Sequence, residues 1–364
     1  MTYYWLYFST FLLTTLSPIA LRDRSRLVSW VILVGVSVLF IGLRHEIGGD
    51  WTNYFVLYLR VESEPFKFIY DAKDPGYVFV NWAASRLGWG IYGVNTVCAG
   101  IFVGGLAYFC SKQRLNGLSW LVATPYMLIV VGMGYTRQSV ALGLFMVALV
   151  FLQDKRIWLY VFVLFVAATF HTSIVLFLPL AFLWLDGNIF RKLKGKFLRH
   201  RTISLAEVLG ALVVICLMFG LALKNYDMFR SQINSYLFGD FWNSKGGMIR
   251  TLMNAGPGFC LIVFRKVWEQ KIENGRIWYG ISWLAILSVA GALINSTLTD
   301  RLGLYLLPLQ LYFFSQVPML FSDRTVRSCV VLLIALLYGT VLWVWLEYAE
   351  HAYYWVPYDN LLFR

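Results

Sequence analysis

Long apolar runs separated by short basic clusters are the feature that most constrains this sequence. Several of the runs approach the ~20 apolar residues that a helix needs to cross a bilayer. Hydrophobic residues make up 59% of the chain and charged residues only 14%, whereas soluble domains carry about 25% charged residues. The runs also lack the two-residue alternation of membrane strands, which disfavours a β-barrel. The sequence therefore predicts an all-α polytopic integral membrane protein.

Hydropathy predicts a single bundle of about 12 transmembrane helices, within a range of about 11 to 14. In this interpretation residues 1–364 form one transmembrane domain. The hydrophilic stretches 44–75 and 224–249 are predicted loops, and residues 76–88 a short interfacial helix. The predicted spans are 2–21, 27–43, 91–111, 117–133, 135–152, 157–169, 172–185, 203–223, 250–266, 277–297, 302–321 and 328–346.

The basic clusters fix the predicted orientation. If Arg22, Arg24 and Arg26 lie in the cytoplasm and the spans alternate from there, the whole net charge of +12 falls on the cytoplasmic face. This is the asymmetry that the positive-inside rule requires. The two hydrophilic loops and both ends of the chain are then outside. Because the basic residues are accounted for as membrane anchors, we predict no nucleic-acid partner. The first helix has no basic segment or cleavage site before it, so it is predicted to be retained.

His171 is the most informative of the polar residues that collect at the predicted outer helix ends. The span before it, 157–169, is about 20 Å long as a helix, against a hydrocarbon core of ~30 Å. The turn at His171 is therefore predicted to lie below the headgroups, where an ionisable residue is a functional candidate. His171 could act as a general base or acid. The alternative is a structural histidine bonded to a backbone carbonyl.

Arginines form the second group on this face. A guanidinium offers planar donors that suit phosphate, and Arg137 also opens a predicted helix, where free N–H groups favour an anion. One such arginine could simply snorkel to lipid headgroups. Four arginines on the outer face, where basic residues are normally few, indicate an anionic ligand. A diphosphate-bearing lipid is the natural candidate. The four are Arg44, Arg137, Arg250 and Arg301.

Carboxylates are few on this face. Asp50 follows Gly48 and Gly49 and could be a base for a sugar hydroxyl or the partner of an arginine. Asp300 could orient Arg301 or form a surface pair with it. The four histidines show no ligand spacing and no phosphate-loop pattern occurs. We therefore predict no metal and no cofactor.

In order along the chain, these motifs resemble the EpsG-type branch of the Wzy polysaccharide polymerases, which make O-antigen or exopolysaccharide. The motifs that carry the resemblance are Arg44…Gly48-Gly49-Asp50-Trp51…Tyr54, Arg137-Gln138…Ala141, Phe170-His171-Thr172-Ser173, Arg301…Tyr305 and Val356-Pro357-Tyr358.

The resemblance implies a bacterial inner-membrane enzyme with an active site facing the periplasm or exterior. Such enzymes join oligosaccharide repeat units carried on undecaprenyl diphosphate, with such units as both donor and acceptor. The transfer is metal-independent and releases the polyprenyl diphosphate. The fold is expected to be GT-C-like, surrounded by membrane lipid, and a chain-length regulator protein is an expected type of partner.

The resemblance also implies roles for individual residues. The four arginines would hold the diphosphate, with Arg137 and Arg301 assisting catalysis, and His171 or Asp50 would accept the acceptor proton. Two other functions remain open: an O-antigen ligase-like transferase, which usually has a larger outer loop, and a lipid-linked oligosaccharide flippase or transporter. The predicted substrate-binding residues are Trp51, Tyr54, Gln138, Ser173, Tyr305 and Tyr358.

Overall fold

The computed structural model describes residues 1–20, 23–184, 246–272 and 275–364. Within these ranges the regular elements are helices, and the only strand-like contact is an isolated bridge between Arg44 and Asn360. Residue contacts divide the chain into two compact units. Unit 1 comprises Met1–Val147, Val166–Thr172 and Leu307–Arg364, and unit 2 comprises Ala148–Phe165 and Ser173–Leu306.

The helices follow the apolar runs of the sequence. Up to residue 184 they are α1 (Thr2–Ala20), α2 (Asp23–Gly42), α3 (Trp51–Ser63), α4 (Phe68–Asp71), α5 (Pro75–Arg86), α6 (Gly90–Ser111), α7 (Asn116–Ala123), a π-helix (Thr124–Val131), α8 (Gly132–Gly134), α9 (Thr136–Gln153), α10 (Ile157–Phe170) and a 3₁₀-helix (Thr172–Trp184). From residue 246 onward they are α11 (Gly247–Val263), α12 (Arg265–Lys271), α13 (Arg276–Ile294), α14 (Ser296–Gly303), α15 (Leu307–Gln316) and α16 (Arg324–Tyr348), with 3₁₀ turns at Leu304–Leu306, Val317–Leu320, Ala352–Tyr354 and Leu361–Phe363.

Five helices in the described part of the chain are long and apolar enough to cross a membrane. A sixth span results if α11 and α12, which meet at a bend of 77°, count as one. The all-helical class is therefore confirmed, whereas the number of about 12 and the GT-C-like arrangement stay predictions. The predicted span 203–223 and most of the loop 224–249 lie outside the described residues.

The segment Asn116–Gly134 forms the centre of unit 1, since 94% of its apolar stretch is buried. Its middle is the π-helix, which begins beside Pro125. Proline lacks the N–H that an α-helix would use, and widened turns often replace the regular pattern at such points. The segment ends at Gly134, and Tyr135 separates it from α9, which starts at Thr136. This break places the first residues of α9 at the end of the central helix.

Helices α6 and α9 approach each other through glycines. A Cβ added to Gly105 would lie 2.2 Å from the carbonyl oxygen of Gly143, and one added to Gly143 would lie 2.6 Å from the Cα of Phe102. Small residues let helix backbones pack this closely, which is a common device in membrane bundles. The glycine contact fixes the position of α9.

The stretch 44–75, predicted as a loop, contains the helices α3 and α4. Tyr54, Tyr58 and Val61 are buried on one face of α3, and this spacing is that of an amphipathic helix. Hydropathy missed α3 because this 13-residue helix is too short to cross a membrane and carries polar residues at both ends. Helix α5 spans Pro75–Arg86, where a short interfacial helix is predicted at 76–88, and its interfacial position stays a prediction.

Candidate functional site

The loop between α2 and α3 is built around a buried arginine. Arg44 is only 1% exposed. Its Nη1 donates to the carbonyl of Ile41 at 2.6 Å, Nη2 donates to Thr136 Oγ1 at 2.8 Å, and Nε donates to the carbonyl of Ile47 at 3.4 Å. A buried guanidinium needs such partners. Arg44 thus ties the loop to the first residue of α9, and its donors are engaged with protein oxygens.

Gly48 allows this loop to pass close to the central helix. Its φ of +101° is in the left-handed region, and an added Cβ would lie 2.6 Å from the carbonyl oxygen of Met133. Other residues are strained at such a φ and would also collide here. The turn leads directly into Asp50 and the start of α3.

Residues 354–361, here called the C-terminal strap, close over the same loop. The amide of Gly48 donates to the carbonyl of Tyr354 at 3.0 Å, and the amide of Leu361 donates to the carbonyl of Leu43 at 2.9 Å. Trp355 Nε1 donates to the carbonyl of Ile129 in the π-helix at 3.1 Å. The strap therefore joins the loop to the central helix.

Tyr358, a predicted substrate-binding residue, belongs to this packing. Its ring stacks on Phe40 with centroids 4.2 Å apart, and its hydroxyl donates to the carbonyl of the same residue at 2.9 Å. The observed contacts of Tyr358 are those of a residue that anchors the strap. Its predicted contact with glycan stays a prediction.

Arg137 lies in the first turn of α9 and forms an ion pair with Asp74. Its Nη1 donates to Asp74 Oδ2 at 2.6 Å, and its Cζ lies 5.7 Å from the centre of the Tyr54 ring. The Arg137 side chain is 37% exposed and that of Asp74 only 5%. The carboxylate is therefore buried and holds the guanidinium in place, while part of the guanidinium stays accessible.

Asp74 was not among the residues that the sequence analysis selected. It is the N-cap of α5 and precedes a proline, a pattern that normally predicts a carboxylate bonded to its own helix. Here the side chain makes no such cap, which forgoes about 1 kcal/mol of helix stability. Gly76 in the next turn packs against Thr169 at the end of α10. This contact keeps the start of α5, and with it Asp74, beside that helix end.

Burial dominates the electrostatics of Asp74. Loss of solvent raises the pKa of its carboxyl above the ordinary value, while Arg137, Lys73 and the Thr172 hydroxyl act in the opposite direction. Burial likewise raises the pKa of Tyr54 to about 12, so this phenol stays protonated at neutral pH. Two buried atoms of the pair, Asp74 Oδ1 and Arg137 Nε, have no hydrogen-bond partner among the described residues. Unsatisfied buried atoms are uncommon in native structures and call for an explanation.

The two candidate proton acceptors flank this region within unit 1. Asp50 is the N-cap of α3 but, like Asp74, makes no cap bond. It instead accepts a hydrogen bond from Asn53 Nδ2 at 3.2 Å, and its negative charge helps to raise the pKa of Tyr54. His171 follows the last residue of α10 and is half-buried. It directly precedes Thr172, whose hydroxyl acts to lower the pKa of Asp74.

Of the other predicted residues in unit 1, Trp51 is half-buried and Gln138 is buried. Trp51 lies under Arg44, whose Cζ is 5.9 Å from the indole centre. Sequence reasoning missed two neighbours of Trp51. His45 and Tyr92 bond to each other through Nδ1 and Oη at 2.5 Å, and both rings contact the indole. A run of aromatic residues at helix ends could have suggested this cluster.

Unit 2 holds the remaining predicted residues. Arg250 forms a two-pronged ion pair with Asp300, with both N–O distances 2.6 Å. Asp300 therefore pairs with Arg250, 50 positions away, whereas the sequence suggested the adjacent Arg301 as its partner. The Arg301 side chain is exposed. Ser173 Oγ donates to Tyr305 Oη at 3.4 Å, and Tyr305 is 1% exposed.

No group of three or more histidine, cysteine, aspartate or glutamate side chains that could hold a metal ion occurs in the described ranges. The chemistry that the residues around Arg137 offer is anion binding, proton acceptance and contact with apolar rings.

These features define a helical membrane protein with several candidate spans and a cationic, carboxylate-flanked site at a helix start. The chain belongs to the EpsG family, whose family model matches residues 27–360. This family is associated with polysaccharide polymerisation, a glycosyltransferase-like activity. No curated protein and no solved structure matches the chain.

Proposed function

We propose that this protein joins lipid-linked oligosaccharide repeat units into a polysaccharide on the outer face of the bacterial inner membrane. The donor and the acceptor are both carried on undecaprenyl diphosphate, and the growing glycan moves from its carrier to the non-reducing end of a new repeat unit. The observation that carries the proposal is the half-exposed Arg137, fixed by Asp74 at the start of α9. A fixed guanidinium with an accessible edge suits a diphosphate.

In this reaction an acceptor hydroxyl oxygen forms a bond to the anomeric carbon of the donor. The bond from that carbon to the diphosphate oxygen breaks, and its electron pair leaves with the polyprenyl diphosphate. Arg137 stabilises the negative charge that develops on this oxygen. The hydroxyl proton goes to Asp50 or His171, which both lie in unit 1 with Arg137. Proton transfer to a positioned side chain contributes about 10²–10⁴-fold to such rates.

Extension of purified protein with a synthetic undecaprenyl-diphosphate-linked repeat unit tests the proposal. We expect a ladder of glycans that remain on the lipid carrier. Asp50→Asn and His171→Ala identify the proton acceptor. Glycan transferred to lipid A without a ladder would support the ligase alternative. Movement of the lipid-linked unit across vesicles, without chain extension, would support a flippase.

Cysteine labelling tests the proposed orientation. In a cysteine-free background we expect Lys67→Cys, between α3 and α4, to react with an impermeant maleimide added from outside. Arg114→Cys, between α6 and α7, should react only after the membrane is opened. Both native side chains are exposed in the structure, so their accessibility to reagent depends on the side of the membrane. The reverse pattern would place the Arg137 site in the cytoplasm and contradict the proposal.

A further inference from the structure

The conformation of Asp74 is unusual enough to require a reason. An aspartate that begins a helix before a proline would normally satisfy the free N–H groups of its own helix. Asp74 instead turns to Arg137, which lies 63 positions away in the sequence. The residue is 4% exposed. Because a buried carboxylate is unfavourable unless it is paired, this arrangement persists only if the pair itself is useful or well supported.

We propose that Asp74 is the positioning residue of the diphosphate site, acting through Arg137 and without contact to the substrate. Its carboxylate holds one edge of the guanidinium while the Tyr54 ring lies alongside it. A long arginine side chain otherwise samples many rotamers, and a displacement of about 1 Å can cost a factor of 10² in rate. The pair therefore keeps Arg137 in one orientation for the donor. This inference rests on the function proposed above.

The burial of Asp74 suits it to position Arg137 and not to accept a proton from the substrate. Asp74 Oδ1 and Arg137 Nε are shielded from solvent and have no hydrogen-bond partner in the described ranges. A carboxylate that takes a proton from a sugar hydroxyl must approach that hydroxyl to within about 3 Å. Asp50, which is half-exposed, meets this requirement better. Asp74 is placed to act on the guanidinium, and Asp50 or His171 remains the proton acceptor.

A double-mutant cycle tests the inference. Asp74→Asn should lower kcat/KM about 30-fold in the wild-type background and by less than about twofold in an Arg137→Ala background, because its effect passes through Arg137. Asp74→Glu should restore part of the loss. Glu62→Gln, which removes one exposed carboxylate from α3, serves as the charge-matched control and should leave kcat/KM unchanged. Equal losses in both backgrounds would show a merely structural role and overturn the inference.

The pH profile gives a second readout. The groups that face Asp74 are Arg137 from α9, Lys73 from its own segment and Thr172 from the 3₁₀-helix, with Tyr54 acting through Arg137. Since burial raises the pKa of Asp74, its ionised form is lost on acidification earlier than that of an exposed aspartate. The donor KM of the wild type should rise as pH falls through this range. That acidic rise should vanish in Asp74→Asn, and its persistence there would contradict the role.

Binding of undecaprenyl diphosphate separates this inference from the proposed function. We expect Asp74→Asn to weaken its binding to the detergent-solubilised protein about tenfold, again only when Arg137 is present. If the wild type extends no glycan but shows this coupling, the polymerase proposal fails and the role of Asp74 stands. If it extends glycan while Asp74→Asn binds the diphosphate equally well or more tightly, the role of Asp74 fails.

Discussion

Replacement of Arg137 by alanine is expected to reduce glycan extension by about 10²–10³-fold, the range seen when a charge-stabilising donor is removed from an active site. In the proposed reaction the guanidinium acts most strongly in the transition state, when the diphosphate takes up the electron pair of the breaking bond. Most of the loss should therefore appear in kcat, and the lost contact with the bound diphosphate should raise the donor KM by a smaller factor. The rate of ladder growth at saturating and limiting donor separates the two quantities.

Two further variants sharpen this prediction. Arg137→Lys keeps the charge but not the planar donors, so it should recover only part of the rate. Arg86→Ala removes an exposed arginine at the end of α5, where the side chain lies over Trp82 with its Cζ 5.7 Å from the indole. It should leave extension unchanged. Equal activity of Arg137→Ala and wild type would remove Arg137 from the mechanism.

Replacement of Gly105 by valine is expected to lower the unfolding temperature by roughly 10 °C, corresponding to about 3 kcal/mol. The first added carbon would already lie 2.2 Å from a carbonyl oxygen of α9, and backbone cannot move aside as a flexible side chain can. Helix α9 must shift, and Arg137 shifts with it. Thermal unfolding of the detergent-solubilised protein measures the effect, and loss of glycan extension should accompany it.

Gly104 provides the matched control because it is the adjacent residue of α6 and an added Cβ meets nothing within 4 Å. Gly104→Val carries the same cost in helix propensity as Gly105→Val. It should leave the unfolding temperature within a few degrees of the wild-type value. A similar loss in both variants would mean that helix propensity, and not the contact with α9, determines the result.

The sequence predicted the long helices well because each is a continuous apolar run. It gave no sign of α3, a 13-residue helix with polar residues at both ends whose buried face consists of Tyr54, Tyr58 and Val61. A hydropathy average over a membrane-length window cannot detect such a helix. The predicted span 302–321 contains α15 with a 3₁₀ turn at either end, and the sequence also gave no sign of α14, which occupies Ser296–Gly303 just before α15. The 3₁₀ turn between them depends on packing rather than on composition.

The sequence selected Arg137 correctly as a residue at a helix start but not its partner. Asp74 precedes a proline at the head of a helix, so local reasoning assigns its carboxylate to that helix. Arg44 shows the same limit, since the residues around it predict an anion-binding arginine and do not indicate its burial or its bond to Thr136, 92 positions away. In both cases the partner lies far along the chain, and only the three-dimensional arrangement reveals it.

The C-terminal strap has a consequence for how the protein matures. The backbone of Leu43 and Gly48 is bonded to Leu361 and Tyr354, residues that the ribosome adds only after α16 has been made. During insertion into the bilayer the Arg44 loop can therefore close only after residues 354–361 have been translated. A chain synthesised only as far as α16 lacks the bonds that join the Arg44 loop to the strap and the strap to the central helix.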